Sequence, residues 1–205
     1  MSELNTIVLA TQNRDKREEL QEALSEFTVK ILSLNDFPFI GEIEEVGQTL
    51  LENSMIKAKT VHNLTQLPVI ADDTGLEVEA LNGAPGIYSA RYAGEDVTYE
   101  DNVNKLLAEM ENIPLENRKA QFRTVISFVD KDRELWTEGR IKGIIGESAK
   151  GKNGFGYDPV FFVPELGKTF SELSIGEKNR ISHRGLAMKK FRILLREYIS
   201  DQSIT

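Results

Sequence analysis

The chain has 205 residues, with 33 acidic against 25 basic side chains, a formal net charge of −8 and no cysteine. Such a length suits one domain or two tightly joined lobes, and a chain of this size buries roughly 70% of its unfolded surface, so its core needs no disulfide. The missing cysteine excludes a disulfide framework, a thiolate nucleophile, a zinc–thiolate cluster and an Fe–S site, and the acidic balance argues against a general nucleic-acid binder, which needs clustered Lys and Arg.

Residues 1–6 are short and polar, and apolar runs such as 7–10 fall far below the ~18 residues of a membrane helix. A soluble, cytoplasmic protein with no membrane partner is expected. Residues 6–10 form a β-branched apolar run that reads as a buried strand, and residues 14–27 carry helical period, with Leu20, Ala23, Leu24 and Phe27 on one face. A second strand is expected over 29–34, followed by a loop with Gly41, Gly47 and the acidic cluster Glu42, Glu44 and Glu45. Residues 48–66 read as a helix with Leu51, Met55 and Ala58 inward and Pro68 closing it. Residues 69–71 read as a strand ending in Asp72-Asp73-Thr74-Gly75, with a short continuation at 76–80, and 82–94 as a loop.

A third helix is expected over 98–110, with Val103, Leu106, Leu107 and Met110 as its core stripe. The pattern then turns to β: residues 120–128 alternate, 130–133 make a turn, and 135–145 return as a hairpin. A glycine-rich stretch, 151–156, precedes a strand at 160–163, and the last helix is expected over 182–199, capped by Ser182. The fold class is α/β, a mixed sheet flanked by helices. A single domain over 1–205 is expected, with the hairpin region, about 119–146, contributing to a second lobe.

Four stretches can carry chemistry. A strand that ends in Asp72 and Asp73 sends adjacent carboxylates to opposite faces, so only one faces a site directly; the bland alternative is a turn that ends the strand. Thr11-Gln12-Asn13-Arg14-Asp15-Lys16 lies at a strand-to-helix junction, where free N–H groups and the helix dipole favour an anion, although Asn13 can simply cap the helix. Gly146-x4-Gly151-Lys152-Asn153 imitates a phosphate-binding P-loop but has Asn where Ser or Thr is needed and no helix after it. Phe155, bracketed by Gly154 and Gly156 and followed by Tyr157 and Asp158, can stack on a base, or can be a tight turn before a strand. Finally Lys178, Arg180, His183 and Arg184 crowd the expected start of the last helix, which is unfavourable there unless an anion is present. Carboxylates, phosphate-binding groups and a framed aromatic together point to a nucleotide.

These residues resemble a known family, the inosine triphosphate pyrophosphatases, also called XTP/dITP diphosphatases. The matching stretches are residues 9–16 (LATQNRDK), 71–94 (ADDTGLEVEALNGAPGIYSARYAG), 154–162 (GFGYDPVFF) and 168–187 (KTFSELSIGEKNRISHRGLA), in the family's order over nearly the whole chain. The resemblance implies an elongated mixed sheet with two lobes and a central cleft, a Mg²⁺ cofactor, a homodimer, and hydrolysis of deaminated purine nucleoside triphosphates (ITP, dITP, XTP) to monophosphate and pyrophosphate. Carried over by position, Asp73 is the proton acceptor and a metal ligand, and Glu44 the other metal carboxylate, with Glu45 the alternative. Thr11, Gln12, Asn13, Arg14, Asp15 and Lys16 match the triphosphate segment. Thr74 stands in place of a usual serine. Phe155, Gly156, Tyr157 and Asp158 match the base and sugar pocket, Lys178 a further substrate contact, and His183 and Arg184 the base-reading pair. Two rivals remain: a haloacid-dehalogenase-type phosphatase, which needs an Asp-x-Asp on the first strand where residues 4–13 hold no aspartate, and a nucleotide sensor without catalysis.

Overall fold

The computed structural model describes residues 5–202; residues 1–4 of the polar start, and the ends of the expected 1–205 domain, lie outside the described residues. The elements run β1 (Thr6–Leu9), α1 (Arg14–Leu24), β2 (Lys30–Ser33), α2 (Leu50–Thr65), β3 (Val69–Val78), β4 (Pro85–Gly86), α3 (Tyr99–Glu109), β5 (Lys119–Val129), β6 (Glu134–Ile145), β7 (Phe161–Val163), β8 (Lys168–Thr169), α4 (Ile175–Ile181) and α5 (His183–Gln202). One sheet has the order β2-β1-β3-β5-β6-β7-β8, with β4 against β3. It is mixed: β1 runs parallel to β2 and to β3, while β3–β4, β6–β7 and β7–β8 are antiparallel. The α/β class, with helices flanking a mixed sheet, is the one this chain adopts. None of the described helices is long and apolar enough to cross a membrane.

By its contacts the chain forms two compact units, one of Met1–Asp73, Thr124–Gly139 and Gly185–Thr205, the other of Thr74–Arg123 and Arg140–Arg184. The tip of the β5–β6 hairpin therefore counts with the first unit and its open end with the second. In the first unit, β1 has no polar face. Ile7 and Leu9 pack with Leu20 and Leu24 of α1 and with Phe191 and Leu195 of α5, while Val8 and Ala10 pack with Ala58 and Val61 of α2. Burial on both faces is what a parallel strand between helix layers requires, and it explains the unbroken apolar run in its sequence. In the second unit Val103 and Leu106 of α3, with Met110 that closes it, pack on an aromatic core of Phe122, Phe161 and Phe170. Phe122 and Phe161 have centroids 4.7 Å apart.

Two elements differ from expectation in ways that matter for the site. β3 does not end at Ala71 but runs through Asp72-Asp73-Thr74-Gly75 to Val78. Pairing overrides the local turn preference: β4 pairs with Leu76 and Glu77, so the chain stays extended. The helix expected over 182–199 is α5, and a short helix not foreseen in the sequence, α4, precedes it. α4 was hidden because seven residues show barely two turns of period, although Ser174 and Glu177 form a reciprocal capping box at its start. Ser182, with extended backbone at φ −66° and ψ 156°, closes α4, and α5 begins at the next residue.

Candidate active site

In the first unit the alternation of β3 sorts its carboxylates. Val69 and Ala71 lie in the core beneath α2, and Ile70 in the core beneath α1 and α5. Period two then sends Asp73 toward α2 and Asp72 toward α1. Each meets a lysine from the helix on its own side. Asp72 Oδ2 is 3.3 Å from Lys16 Nζ of α1, and Asp73 Oδ1 is 3.3 Å from Lys57 Nζ of α2. Lys57 Nζ also donates to Glu45 Oε1 at 2.7 Å, which brings the acidic loop into the same group.

Burial sets the electrostatics. Asp73 is only 5% exposed, and burial raises its pKa above the ordinary carboxylate value against the opposing pull of Lys57 and Lys16. For Lys57 burial alone would lower the pKa, but Asp73, Glu45 and Asp72 outweigh it and hold the ammonium charged. Asp73 Oδ2 is buried and has no hydrogen-bond partner among the described residues. A carboxylate oxygen in that condition fits a cation. Among the described residues no group of three or more His, Asp or Glu side chains is placed to hold a metal. A hard ion such as Mg²⁺ typically uses one or two protein carboxylates together with substrate phosphates, a donor set that Asp73 and Glu45 match.

The other residues of the junction divide by role. Asn13 caps α1: its Oδ1 accepts the Lys16 N–H at 3.0 Å, and its own N–H donates to Thr11 Oγ1 at 3.2 Å. The capping and anion readings are compatible, because the cap orients the turn from which Lys16 reaches Asp72. Asp15 lies in the first turn of α1 and Gln12 is exposed. Arg14 is not brought to the carboxylates; it pairs with Glu18 on the helix surface at 2.7 Å. Glu44 is exposed, so the structure brings Glu45 to the group in its place.

In the second unit the arrangement is built around Phe155. Gly154 has φ +76°, and a Cβ there would run into the Asp158 carboxylate, so glycine is required for the turn. Asp158 Oδ2 accepts the Phe155 N–H at 2.9 Å and Lys178 Nζ at 2.6 Å, which fixes the loop to α4. Lys178 Nζ lies 4.6 Å from the Phe155 ring centroid and the Arg184 guanidinium 5.6 Å from it, while Tyr99 packs against the ring at 5.9 Å. Arg184, itself buried, donates to Thr74 Oγ1 at 3.1 Å. The His183 ring stacks on Phe122 at 4.5 Å. Gly156 turns the chain at φ +62°. Tyr157 joins the apolar core, and its hydroxyl donates to the Ser89 carbonyl at 2.9 Å.

The cations expected together at the start of the last helix fall on two helices. Lys178 and Arg180 sit in the last turn of α4, where the dipole favours cations, so their positions do not call for an anion. Sequence reasoning also passed over Lys57 and Tyr99. Lys57 had a signal: it falls among Leu50, Ser54, Ala58 and Val61, the buried stripe of α2, where an unpaired lysine is rarely tolerated. Tyr99 had none, since it is an exposed first-turn residue of α3 that only the fold places beside Phe155. His62 sits in α2 with Nδ1 2.7 Å from the Leu67 carbonyl oxygen.

Known proteins resemble this chain over nearly its whole length. The sequence model of the Ham1 family matches residues 7–194. A dITP/XTP pyrophosphatase from a Thermoanaerobacter species is 50% identical over 186 residues, which cover 91% of this chain and 94% of that protein. Among solved structures, a HAM1 protein from Coxiella burnetii superimposes with a TM-score of 0.87 at 41% identity, covering 94% of this chain and 99% of the other. The Staphylococcus aureus Ham1 protein gives 0.86 at 39% identity, with 95% and 100% covered.

Proposed function

The chain belongs to the Ham1 family, and from that premise we propose that it is a Mg²⁺-dependent hydrolase that cleaves the deaminated purine nucleotides dITP, ITP and XTP to the monophosphate and pyrophosphate. Such an activity keeps these nucleotides out of DNA and RNA, and we place it in the cytoplasm as a homodimer. The relative named above as a dITP/XTP pyrophosphatase supports the substrate class. The observation that carries the chemistry is the buried Asp73 carboxylate, with one oxygen beside Lys57 and the other without a hydrogen-bond partner among the described residues.

In this proposal Asp73 and Glu45 hold the cation, which when bound supplies positive charge that offsets the charge developing on the departing pyrophosphate. Asp73, its proton affinity raised by burial, accepts the proton of the water that attacks the α-phosphorus, so an O–P bond forms as the bond to the pyrophosphate oxygen breaks. Lys16 and Lys57 position and stabilise the phosphates, aided by the N-terminal amides of α1. Phe155 takes the purine on its ring, with Tyr99 as a second aromatic wall. Arg184, oriented by Thr74, donates to a 6-keto oxygen. Adenine offers a 6-amino group at that point, and a site built to bond one edge rejects such a mismatch by ~10⁴-fold or more. The contact between Asp158 and Lys178 holds the Phe155 loop in shape for this.

The test is a pyrophosphate-release screen of the purified chain across standard and deaminated triphosphates. Pyrophosphate from dITP, ITP or XTP well above that from ATP and GTP is expected. Orthophosphate as the product would replace the proposal with a phosphatase, and binding of ITP with Mg²⁺ without turnover would replace it with a sensor.

A further inference from the structure

The loop that carries Glu45 is fastened to α2 by a residue with no part in the chemistry above. Asn53 is fully buried on the inner stripe of α2, a place where helices ordinarily bury apolar side chains. Its Oδ1 accepts the Gly47 N–H at 2.8 Å, two residues beyond Glu45. A Cβ at Gly47 would lie 2.6 Å from that Oδ1 and 2.7 Å from Glu52 Cβ, so a larger residue would force the loop off the helix. Asn53 and Lys57 are four residues apart and share one face of α2. The loop is therefore held to that face twice, by its backbone at Asn53 and by the Glu45 carboxylate at Lys57. Asn53 Nδ2 is buried with no hydrogen-bond partner among the described residues. An apolar residue of similar size would avoid that cost, so the position keeps an amide for the sake of its oxygen.

We propose that Asn53 is a positioning residue that sets Glu45 for divalent-cation binding by holding the Gly47 amide. The proposal rests on the metal reading given above, and it concerns how the ligand is held, not which bond is cleaved. Groups one step removed from a metal carboxylate orient it, and their loss typically costs ~10–100-fold in metal affinity or activity.

Two variants approach the contact from opposite sides, Asn53→Leu from the helix and Gly47→Ala from the loop. Each is compared with the parent full-length chain by melting temperature, by hydrogen exchange of the Gly47 amide without metal, and by Mn²⁺ affinity without nucleotide, read by electron paramagnetic resonance. Both variants are expected to exchange Gly47 faster and to bind Mn²⁺ about 10–100-fold more weakly. In pyrophosphate release the loss should fall on the Mg²⁺ concentration required, and kcat at saturating Mg²⁺ should change little. Asn53→Asp keeps an acceptor and should keep Gly47 protected. Added to Glu45→Gln, Asn53→Leu should weaken Mn²⁺ binding no further, because neighbours acting through one group are not additive. Unchanged Mn²⁺ affinity with Gly47 exposed, or full additivity with Glu45→Gln, overturns the proposal. Should Asn53→Leu fail to fold, Gly47→Ala decides alone. A parent that binds Mn²⁺ yet releases no pyrophosphate refutes the proposed reaction and leaves the positioning result standing, whereas a parent that binds none refutes both.

Discussion

Around β3 in the first unit, three carboxylates, Asp72, Asp73 and Glu45, share two ammonium groups, Lys16 and Lys57, whereas around Phe155 in the second unit two cations, Lys178 and Arg184, accompany one carboxylate, Asp158. The first arrangement leaves a surplus of negative charge on hard oxygen atoms, which suits a divalent cation and, through it, phosphate. The second leaves a surplus of positive charge beside an aromatic ring, which suits a base with a carbonyl on its edge. The comparison teaches that an acidic chain can treat a polyanion as substrate. The bulk charge of −8 describes the surface, and each site sets its own balance.

The sharpest way to break the comparison is Asp73→Asn. Loss of the proton acceptor is expected to lower pyrophosphate release by ~10²–10⁴-fold while nucleotide binding, measured by calorimetry, persists. Loss of binding to the same extent as turnover would show that Asp73 acts as a phosphate-site scaffold and not as a base.

Next in size is Lys57→Met. Removing one partner of a buried ion pair costs on the order of 3 kcal/mol of stability, to be read by chemical denaturation. Lys57 is also the nearest charge pulling the Asp73 pKa down, so without it Asp73 takes up a proton at higher pH. Since Asp73 must be ionised to accept a proton, the acid limb of the rate profile should move to higher pH. A limb that stays in place while the rate falls would assign Lys57 to the phosphates alone.

The second unit answers to Phe155→Ala, which removes a base-stacking surface worth about 1–3 kcal/mol. A rise in KM with kcat largely kept is expected. Selectivity among bases should hold, because stacking is indifferent to the base edge; collapse of the preference for ITP over ATP would mean that the ring, not Arg184, reads it.

The smallest effect concerns acid. Asp101, Glu172 and Glu177 in the second unit, and Asp36 in the first, cap short helical segments, and hydrogen bonds from Thr98, Thr169, Ser174 and Ser33 hold their pKa values below the ordinary carboxylate value. Depressed values mean that the stabilisation is present above the unfolded-state pKa and is lost as pH falls through the folded one. Acid should therefore speed hydrogen exchange at the starts of α3 and α4 before it touches β1 or β3. Asp101→Asn with Glu177→Gln should flatten that dependence, and an unchanged profile would place the acid sensitivity elsewhere.

The fold class, the long hairpin and most helices were legible because their signals are local and repeated. β1 announces itself by unbroken apolar residues, and α3 by a stripe at helical spacing. The site was legible in part. Asp73, Lys16 and Phe155 stood out by residue type at strand and loop positions, and the family resemblance gave them roles. Arg14 and Tyr157 show the limit, since a motif names neighbours in sequence while each side chain goes where packing sends it. Arg14 turns to Glu18, and Tyr157 is drawn into the core.

What the sequence determined by itself is therefore the periodicity of each element and the stock of carboxylates, lysines and glycines at their junctions. Only the tertiary structure decided that Asp72 and Asp73 answer to different lysines, that Glu45 and not Glu44 joins them, and that a short α4 precedes α5. The reason is physical. Periodicity is written in residues a few positions apart, but the pairing of a buried charge depends on which helix covers which face of a strand. That is fixed only when distant segments pack and every buried charge must find its partner.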